Sequence, residues 1–544
     1  MKTQPYFLIS FKKGDDSFIP KEGEGIFSYK LIGKNYGSDD FCSPETLNGN
    51  FILVGFDRKA KNWHLWTDRF GTLHAYYAFD GNRAVIGTNF KEVSEKASAK
   101  KMDWLGIGGF LRFGFFPDDR TYYEDVKILK PATHSIFSED GKLISSERYW
   151  NWKYEPDYKR SYENTVDEFA QIFHKIIQEQ TAEGRVAVPI SGGLDSRSTV
   201  VAIQNIKPDK KRFWAYSYGY SNDSTETKIA AEIAHAANLP FNSYTIKPYL
   251  FEKMDAVIDA VEGFQDVTQA RQAFVTDKIK NHADLVICAH WGDVWMDAMI
   301  KGETSGAAQM TQDQLTEIIF KKFKKKGSDG LLAIFKDKLP HDLDEQLKFL
   351  ISKKLKEYDG IQDDDFKIKA FKTDWWSFRW TLASIRVFAA AAVPLLPFYN
   401  NRIADFFMTV PTEYVAERKL QIDYLKKYST QLAKVKWQVY DADLYNYQNF
   451  DTWQLPGRIL KKIFRVLSGK KVIQRNWETQ FLDSEGRENV KKRLIKPGLK
   501  IHQWVSAQRL NQEVNNFYGN SEDSTRGYVL SILVTLSAWM ENFG

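Results

Sequence analysis

The segment Ser191-Gly192-Gly193-Leu194-Asp195-Ser196 has the residue types and spacing of a phosphate-binding loop. Two adjacent glycines let the backbone turn tightly and approach a charged group closely. Serine hydroxyls at both ends supply further hydrogen-bond donors. A helix after the loop would add its N-terminal dipole and its N–H groups. The pattern therefore predicts a cradle for pyrophosphate or for the phosphates of a nucleotide. The alternative is an ordinary strand-to-helix turn with a serine cap.

The residues on both sides of this loop predict the elements that position it. An apolar run, VAVPI, ends at Ile190 and predicts a buried strand, and TVVAIQNI after the loop predicts a helix. A second strand over Arg212–Ser217, a helix over about Glu226–Ala237 and a third strand ending at Cys288 follow. Alternating strands and helices are typical of a parallel sheet with crossover helices.

Residues 1 to about 150 have a different pattern, which predicts a strand-rich domain. Apolar or alternating runs occur at Phe51–Phe56, Asn62–Trp66 and Ala84–Gly87, and turn-forming residues separate them. A polar stretch follows Trp150, and helical patterns dominate from about Leu315 to the end. We therefore expect two domains, over residues 1–150 and 160–544.

The composition is that of an ordinary folded protein without a strong charge bias. Of 544 residues, 43% are hydrophobic and 27% are charged, which excludes a disordered chain. The formal net charge is only +6, so nucleic acid is not an expected partner. The run Lys321–Lys326 is a local basic stretch, and we interpret it as a solvated helix end.

Cysteine usage and hydropathy bear on the compartment. Two cysteines, Cys42 and Cys288, are too few for a disulfide framework or a cysteine metal cluster, and they fit a reducing compartment. The N-terminal apolar run is too short for a signal peptide, and the longest apolar run, near Tyr528–Met540, falls short of a membrane span. We expect a cytoplasmic protein without a membrane span.

Several phrases of the sequence resemble those of one enzyme family. SGGLDS resembles the PP-loop of ATP pyrophosphatases, and the first 150 residues are similar to the glutaminase-like domain of asparagine synthetases. The N-terminal phrases occur in family order, at Gly49–Asp57, Asp68–Gly71 with Tyr76-Tyr77, Gly108–Leu111 with Phe113-Gly114, Thr121–Tyr123, Leu129–Pro131 and Arg148–Trp150. The resemblance implies an α+β part, an Ntn-hydrolase-like αββα sandwich. An α/β part follows, a PP-loop parallel-sheet domain with a helical C-terminal half.

The resemblance also implies which residues contact ATP and Mg²⁺. The nucleotide contacts fall on Ser191, Gly192, Gly193, Leu194, Asp195, Ser196, Arg197, Ser217, Gly219, Glu226 and Gly292. Asp195 and Asp293 would bind the metal, because Mg²⁺ prefers oxygen ligands. Arg197 fits a surface position equally well, and Glu226 fits a plain helix N-terminus.

The glutaminase half departs from the family at its nucleophile. The family uses an N-terminal cysteine, whose thiolate attacks glutamine. This sequence starts with Met1-Lys2-Thr3-Gln4, and neither cysteine lies near that start. The asparagine-glycine-glutamate phrase that grips glutamine is also missing. We therefore expect a domain that keeps its fold without glutamine hydrolysis, as in the related beta-lactam synthetases and lasso peptide cyclases.

The synthetase half departs from the family at its catalytic residues. His290 occupies the neighbourhood of the family's catalytic glutamate and is a candidate base for the attacking amine, although a structural histidine fits equally well. The family also uses a lysine to stabilise the adenylating transition state. Lys419 lies at about the expected place for it, with Lys427 and Lys436 as alternatives.

The acceptor pocket also differs in sequence. Pro397–Arg402 resembles the family phrase PFLDNR, before which asparagine synthetases carry a glutamate and an arginine. Val393 and Leu395 occupy those two positions here. Apolar residues there predict an acceptor that is larger or less charged than aspartate.

Together these observations predict an ATP-dependent, AMP-forming carbon–nitrogen ligase that joins a carboxylate to ammonia or an amine. A sugar acid, a peptide or a small metabolite would supply the carboxylate, in cell-surface polysaccharide or natural-product biosynthesis. The alternatives are an asparagine synthetase that uses ammonia or glutamine, a PP-loop enzyme that modifies tRNA, and a non-catalytic scaffold. A monomer and a homodimer both stay open.

Overall fold

The computed structural model describes residues 7–11, 27–37, 43–79, 84–300, 309–448, 473, 475–521 and 523–544. The strands are β1 (Leu8–Phe11), β2 (Phe27–Asn35), β3 (Gly49–Asp57), β4 (Asn62–Thr67), β5 (Tyr76–Phe79), β6 (Ala84–Gly87), β7 (Val126–Ile128), β8 (Thr133–Phe137), β9 (Leu143–Arg148), β10 (Val186–Pro189), β11 (Phe213–Gly219), β12 (Phe241–Thr245), β13 (Leu285–Ile287) and β14 (Val393–Leu395). Met1–Gln4 and Cys42, which bear on the glutaminase prediction, lie outside the described residues.

Helices connect and surround these strands. They are α1 (Phe90–Lys96), α2 (Trp104–Phe113), α3 (Tyr162–Gln180), α4 (Asp195–Ile206), α5 (Thr225–Ala236), α6 (Met254–Val261), α7 (Thr276–His282), α8 (Gly292–Trp295), α9 (Gln312–Phe323), α10 (Ser328–Ile334), α11 (Leu343–Leu355), α12 (Asp364–Lys372), α13 (Leu382–Ala389), α14 (Asn401–Phe407), α15 (Thr412–Val415), α16 (Lys419–Tyr428), α17 (Thr430–Ala433), α18 (Asn476–Phe481), α19 (Ser484–Leu494), α20 (Ala507–Gly519) and α21 (Ser524–Phe543). A nine-residue π-helix, Thr373–Thr381, joins α12 to α13. In the part of the chain that the structure describes, every helix is too short or too polar to cross a membrane.

The N-terminal part consists of two antiparallel sheets. Their strand orders are β1-β6-β5-β7 and β2-β3-β4-β8-β9. Alternate side chains of a strand point to one face, so Ile52, Val54 and Ile86 are buried in one shared apolar cluster. Helix α1 packs against β5 and β6, and α2 packs against α10 and α11. The sandwich of sheets and helices predicted from the sequence is confirmed.

The second part is built on one parallel sheet with the strand order β12-β11-β10-β13-β14. The chain moves from β10 through β11 to β12 on one side and places β13 and β14 on the other. Ligands bind at the carboxyl ends of strands where the order reverses in this way, and the predicted loop follows β10 directly. The sequence predicted β10, β11 and β13 but missed β12, whose sequence FNSYT is largely polar, and β14, which has only three residues and contains a proline.

A buried carboxylate, Asp374, lies where the two parts meet. It accepts hydrogen bonds from Arg148 Nη1 at 2.6 Å, from Trp152 Nε1 at 2.9 Å and from the Tyr358 hydroxyl at 2.7 Å. The Lys354 ammonium lies 3.2 Å away. Burial alone would raise the pKa of Asp374, but the positive charges of Arg148 and Lys354 outweigh it and hold that pKa far below its usual range. Asp374 therefore stays ionised and links the two parts.

His74 is a second buried polar group at this junction. Its Nε2 lies 2.8 Å from the carbonyl oxygen of Phe378. Burial, with the nearby charges of Arg386 and Arg379, holds the pKa of His74 well below its usual value. The unfolded chain takes up a proton here near pH 6.5, whereas the folded chain does not. The stability that depends on the neutral ring is therefore present above about pH 6.5 and lost as the pH falls below it, by up to about 1.4 kcal/mol per pH unit.

We expect the melting temperature of the wild-type protein to fall more between pH 7 and pH 5 than that of a His74→Gln variant. The glutamine amide can still donate to the Phe378 carbonyl, but it does not titrate in this range. Both proteins retain all other titrating groups, so the difference isolates His74. Equal losses of melting temperature in thermal denaturation would contradict this assignment.

Candidate nucleotide-binding site

A cavity of about 550 Å³ opens at the carboxyl ends of β10, β11 and β13. Seven of the residues predicted from the sequence line it: Ser191, Asp195, Ser196, Ser217, Glu226, His290 and Asp293. The segments that follow β10, β11 and β13 thus bring their side chains into one cavity. This position agrees with the topological rule for open parallel sheets.

The loop after β10 is held in shape by its own serines. Ser196 Oγ accepts a hydrogen bond from Ser191 N at 3.0 Å and lies 3.1 Å from Ser191 Oγ. Gly193 N donates to Ser191 Oγ at 3.2 Å. A side chain on Gly192 would collide with Gln438, so this position requires glycine. Leu194 is buried and anchors the start of α4 in the core rather than facing the cavity.

Arg197 is not a phosphate ligand, which corrects the sequence-based assignment. Its side chain is fully buried, and it donates to the carbonyl oxygens of Leu432 at 3.2 Å, Val435 at 2.8 Å and Lys436 at 2.6 Å. A guanidinium group in this position satisfies the carbonyl groups at the end of α17. Arg197 therefore fastens α4 to the C-terminal region.

Asp195 is the first residue of α4 and the most heavily engaged side chain of the loop. Its Oδ1 accepts hydrogen bonds from Arg418 Nη1 at 2.8 Å and from Gln421 Nε2 at 3.0 Å. Burial raises its pKa, and the negative charge of Asp293 adds to that effect, while Arg418 opposes it. Glu417 and Arg418 both have left-handed backbone angles, with φ of 55° and 61°. Such strain in non-glycine residues clusters at functional sites, and sequence reasoning missed Arg418.

Asp195 and Asp293 fit the predicted Mg²⁺ site in chemistry. Their carboxylates are near enough for the charge of Asp293 to act on the pKa of Asp195. Among the described residues, no cluster of three or more acidic, histidine or cysteine side chains is arranged to hold a metal. Mg²⁺ does not need one, because it is usually bound by one or two carboxylates together with substrate phosphates. These two residues would hold the ion, and it would neutralise phosphate charge.

The loop after β13 brings His290 and Gly292 to the same place. A side chain on Gly292 would begin 3.0 Å from the Asp195 carboxyl carbon, so the glycine permits this close approach. Trp291, between them, has a left-handed φ of 81° and donates from Nε1 to Thr373 Oγ1 at 3.1 Å. Burial lowers the pKa of His290 to about 4, and Nδ1 is buried without a hydrogen-bond partner. The ring is therefore neutral at pH 7, and its Nδ1 can accept or donate one hydrogen bond, depending on the tautomer.

The opposite wall comes from β11 and α5. Ser217 and Glu226 line the cavity. Burial raises the pKa of Glu226, and the nearby Arg271 opposes that effect. Gly219 does not line the cavity. A side chain there would collide with Ser224, so Gly219 serves the turn into α5 instead.

Among the described residues, Lys372 is the lysine that lines the cavity, and Lys419 does not line it, which corrects the second sequence-based assignment. The Lys419 ammonium lies 4.2 Å from the centre of the Tyr162 ring, on the outside of α16. Its alternatives also point elsewhere, because Lys427 pairs with Asp167 at 2.5 Å and Lys436 pairs with Asp441 at 3.2 Å.

Two tryptophans fix the position of the Lys372 ammonium. It lies 5.7 Å from the Trp291 ring and 5.2 Å from the Trp376 ring. Burial lowers its pKa, whereas the charge of Asp293 raises it. Lys372 immediately precedes the π-helix, and π-helical segments occur frequently at functional sites. No motif in the sequence marks this lysine.

Val393 and Leu395 do not line the nucleotide cavity, so the acceptor prediction made from them was wrong in its premise. Both belong to β14, where Leu395 is fully buried and Val393 lines a different cavity. In this region the nucleotide cavity is lined by Thr381, the last residue of the π-helix, and by Ser384 and Phe388 of α13.

Comparison with known proteins agrees with this geometry. Residues 34–150 match the family model described as a glutamine amidotransferase domain, and residues 168–297 match the model described as asparagine synthase. The second match ends at Asp297, just after the loop that carries His290 and Asp293. Both matches agree with the two-part fold.

One curated relative and two solved structures extend the comparison. A protein of Methanocaldococcus jannaschii named "Putative asparagine synthetase (glutamine-hydrolyzing) 2" is 25% identical over 234 residues, which cover 41% of this chain and 44% of that protein. The chain thus matches less than half the length of this relative. A glutamine phosphoribosylpyrophosphate amidotransferase from B. subtilis is 12% identical, with a TM-score of 0.13 over 39% of this chain and 35% of that one.

An ammonia-dependent NAD synthetase from Campylobacter jejuni is 15% identical, with a TM-score of 0.19 over 37% of this chain and 96% of that one. Scores this low carry no weight beside the sequence matches. The two family models, which together match less than half of the chain, follow one another in the order of the two parts of the fold. Over these two regions the chain is similar to asparagine synthetases.

Proposed function

We propose that this protein is an ATP-dependent, AMP-forming carbon–nitrogen ligase. It adenylates a carboxylate and transfers the acyl group to ammonia or an amine. Residues 160–544 form the ligase domain, and residues 1–150 form a glutaminase-like domain that no longer hydrolyses glutamine. The observation that carries the proposal is the loop Ser191–Ser196, which opens at the switch point of the parallel sheet into a cavity lined by acidic and basic side chains.

The geometry supports a division of roles in the first step. The loop and the N-terminus of α4 bind the pyrophosphate part of ATP through backbone N–H groups. The substrate carboxylate attacks the α-phosphorus, a new P–O bond forms, and the bond to the β-phosphate oxygen breaks. Pyrophosphate leaves with its charge next to Lys372, which lines the cavity and stabilises the charge that develops in the transition state. Arg418 acts through Asp195, to which it donates.

The second step is aminolysis of the acyl adenylate. The nitrogen attacks the carbonyl carbon, the C–O bond to AMP breaks, and the nitrogen loses a proton. Nδ1 of His290 is the candidate acceptor for that proton, because this nitrogen lacks a partner in the protein and the charge of Asp293 raises the pKa of the ring against the effect of burial.

The first domain contains its own cavity, of about 430 Å³, between the N-terminal sheets and α13. His74, Arg386 and Asn50 are among its lining residues. In the described part of the chain the one cysteine is Cys288, which lines the nucleotide cavity instead. We propose ammonia or an amine, rather than glutamine, as the nitrogen donor. Activity with ammonium chloride but not with glutamine, followed as AMP release, would agree with that choice, and equal activity with both donors would contradict it.

Asparagine synthesis is the second candidate, because the curated relative carries that name. Val393 and Leu395 do not line the nucleotide cavity, so their apolar character gives no reason to exclude aspartate as the substrate. Aspartate, ATP and ammonia should then yield asparagine. Mass detection of asparagine decides between the two candidates.

Exchange of labelled pyrophosphate into ATP tests the ligase assignment directly. We expect exchange in the presence of a carboxylate mixture, and we expect Asp195→Ala to abolish it. Removing this carboxylate takes away one of the two ligands proposed for Mg²⁺ and also the carboxylate to which Arg418 donates at 2.8 Å. Asp223→Ala serves as the control and should leave exchange unchanged, because this side chain is 89% exposed in the turn between β11 and α5 and does not line the cavity. Absence of exchange in the wild-type protein with every carboxylate offered would instead support a scaffold.

A further inference from the structure

A second cavity, of about 430 Å³, adjoins the nucleotide cavity. The two share Gln269 and Arg271 as lining residues. The C-terminal helices form much of the second cavity, through Trp477 of α18 and Tyr528 of α21. The last hundred residues, which carry no recognisable motif, therefore build a space next to the site of chemistry.

This second cavity is strongly basic. Arg271, Lys325, Lys326 and Arg475 line it, and Asp266 is the one carboxylate among its described lining residues. Asp266 is already satisfied by neutral donors, from Thr268 N at 2.8 Å, from Thr268 Oγ1 at 2.9 Å and from Ser531 Oγ at 3.0 Å. Four cations thus face one carboxylate, which leaves an excess of positive charge inside the cavity.

Lys325 is the most informative of the four cations. Its ammonium lies 4.8 Å from the Trp376 ring and 5.6 Å from the Trp380 ring, and both tryptophans also line the nucleotide cavity. It belongs to the lysine run that the sequence presented as a solvated helix end. The structure places Lys325 half-buried instead, and burial lowers its pKa while Asp266 opposes that effect. A lysine that is partly removed from water beside few acidic groups would be stabilised by a negative ligand.

The other charges around the cavity do not cancel this excess. Arg271 hydrogen-bonds the Tyr220 hydroxyl and feels the charge of Glu226, which lies in the nucleotide cavity. The side chain of Glu478 accepts from the backbone of Arg475, and its negative charge also acts on Tyr220 of the cavity wall. These two outer carboxylates reduce the positive excess, but with Asp266 they make three carboxylates beside four cations. Lys326 and Arg475 are exposed, so they reach the mouth of the cavity. The positive side chains therefore extend from the mouth inward to the wall shared with the nucleotide cavity.

We propose that this cavity binds a second anionic group of the substrate, a phosphate or a carboxylate, in addition to the carboxylate that is adenylated. The inference rests on the proposed function, because it names the substrate class for that reaction. The reactive carboxylate lies in the nucleotide cavity, and the substrate extends past Arg271 into the basic cavity. Lys325 and Arg475 position the substrate through its distal charge and do not take part in bond making.

Calorimetric titration of inorganic phosphate, and separately of malonate, tests this inference without turnover. The protein is first saturated with magnesium and a non-hydrolysable ATP analogue, so that the loop Ser191–Ser196 is filled. We expect the wild-type protein to bind at least one of these anions. Lys325→Gln should weaken that binding at least tenfold, and Arg475→Gln, at an exposed position that does not threaten folding, should weaken it as well. Lys321→Gln, from the same lysine run but away from the cavity, should bind like the wild type.

The outcomes separate the alternatives. Preference for phosphate indicates a phosphorylated substrate, and preference for malonate indicates a substrate with a second carboxylate. Absence of binding for both anions, or wild-type binding in both Lys325→Gln and Arg475→Gln, overturns the inference. Because the titration needs no catalysis, it stays independent of pyrophosphate exchange, whose absence would count against the ligase proposal alone.

Discussion

Replacing Lys372 with methionine should slow AMP formation by about 100- to 1,000-fold, the range found when a preorganised charge-stabilising group is removed from an active site. Lys372 supplies a cation to the cavity next to Asp293, and Trp291 and Trp376 fix its ammonium in place. Negative charge builds up on the phosphate oxygens as the α–β bond breaks. The methionine keeps the volume and the apolar stem, so the loss measures the charge.

Lys419→Met is the matched control for this experiment. Sequence reasoning assigned the catalytic role to Lys419, but its ammonium lies over the Tyr162 ring outside the cavity. We expect this variant to retain AMP formation within about twofold, because a single exposed cation–π contact contributes only about 0.5–1 kcal/mol, and to stability rather than to rate. A loss of rate in Lys419→Met with normal activity in Lys372→Met would reverse the assignment.

Replacing Asp374 with alanine should destabilise the protein by about 3–5 kcal/mol, the cost of removing one partner from a buried charge network. Arg148 has an exposed side-chain fraction of 15% and Lys354 of 10%, so both cations would stay largely buried without Asp374. They would keep only Glu357, a 46% exposed carboxylate that lies 3.8 Å from Arg148 and 2.6 Å from Lys354. Trp152 and Tyr358 would lose their acceptor as well. Urea denaturation followed by tryptophan fluorescence measures the change.

Asp405→Ala provides the comparison. Asp405 also pairs with an arginine, Arg69, at 2.7 Å, but its side chain is 49% exposed. Exposed pairs of this kind contribute about 0.2–1 kcal/mol. Similar urea midpoints for Asp374→Ala and the wild type would show that the junction of the two parts does not depend on this carboxylate.

The sequence predicted the parts of the site that follow from local spacing. The loop Ser191–Ser196 was identifiable because glycines, serines and an aspartate occur between a strand pattern and a helix pattern. The same applies to Asp293 and His290, which follow the third strand pattern. Loops that follow neighbouring strands of a parallel sheet lie close together, because the carboxyl ends of the strands share one edge. Their proximity can therefore be predicted from the strand patterns alone.

The remaining residues could not be predicted, because their roles depend on distant packing. Arg197 follows the loop directly and has the charge of a phosphate ligand. Its guanidinium nevertheless donates hydrogen bonds to carbonyl oxygens within Leu432–Lys436. Conversely, Arg418 reaches Asp195 from far along the chain, through two residues with left-handed backbone angles. Lys372 is one of many lysines in helical patterns, and only the π-helix and its tryptophans distinguish it.

The attachment of α4 to the segment around Leu432–Gln438 has a consequence for synthesis on the ribosome. The chain emerges from its N-terminus, so the nucleotide loop is translated more than two hundred residues before the segment that holds Arg197 and covers Gly192. Until that segment emerges, the guanidinium of Arg197 lacks its acceptors, and the nascent loop is incomplete. A chain released prematurely before this segment would therefore lack the contacts that complete the proposed ATP-binding loop.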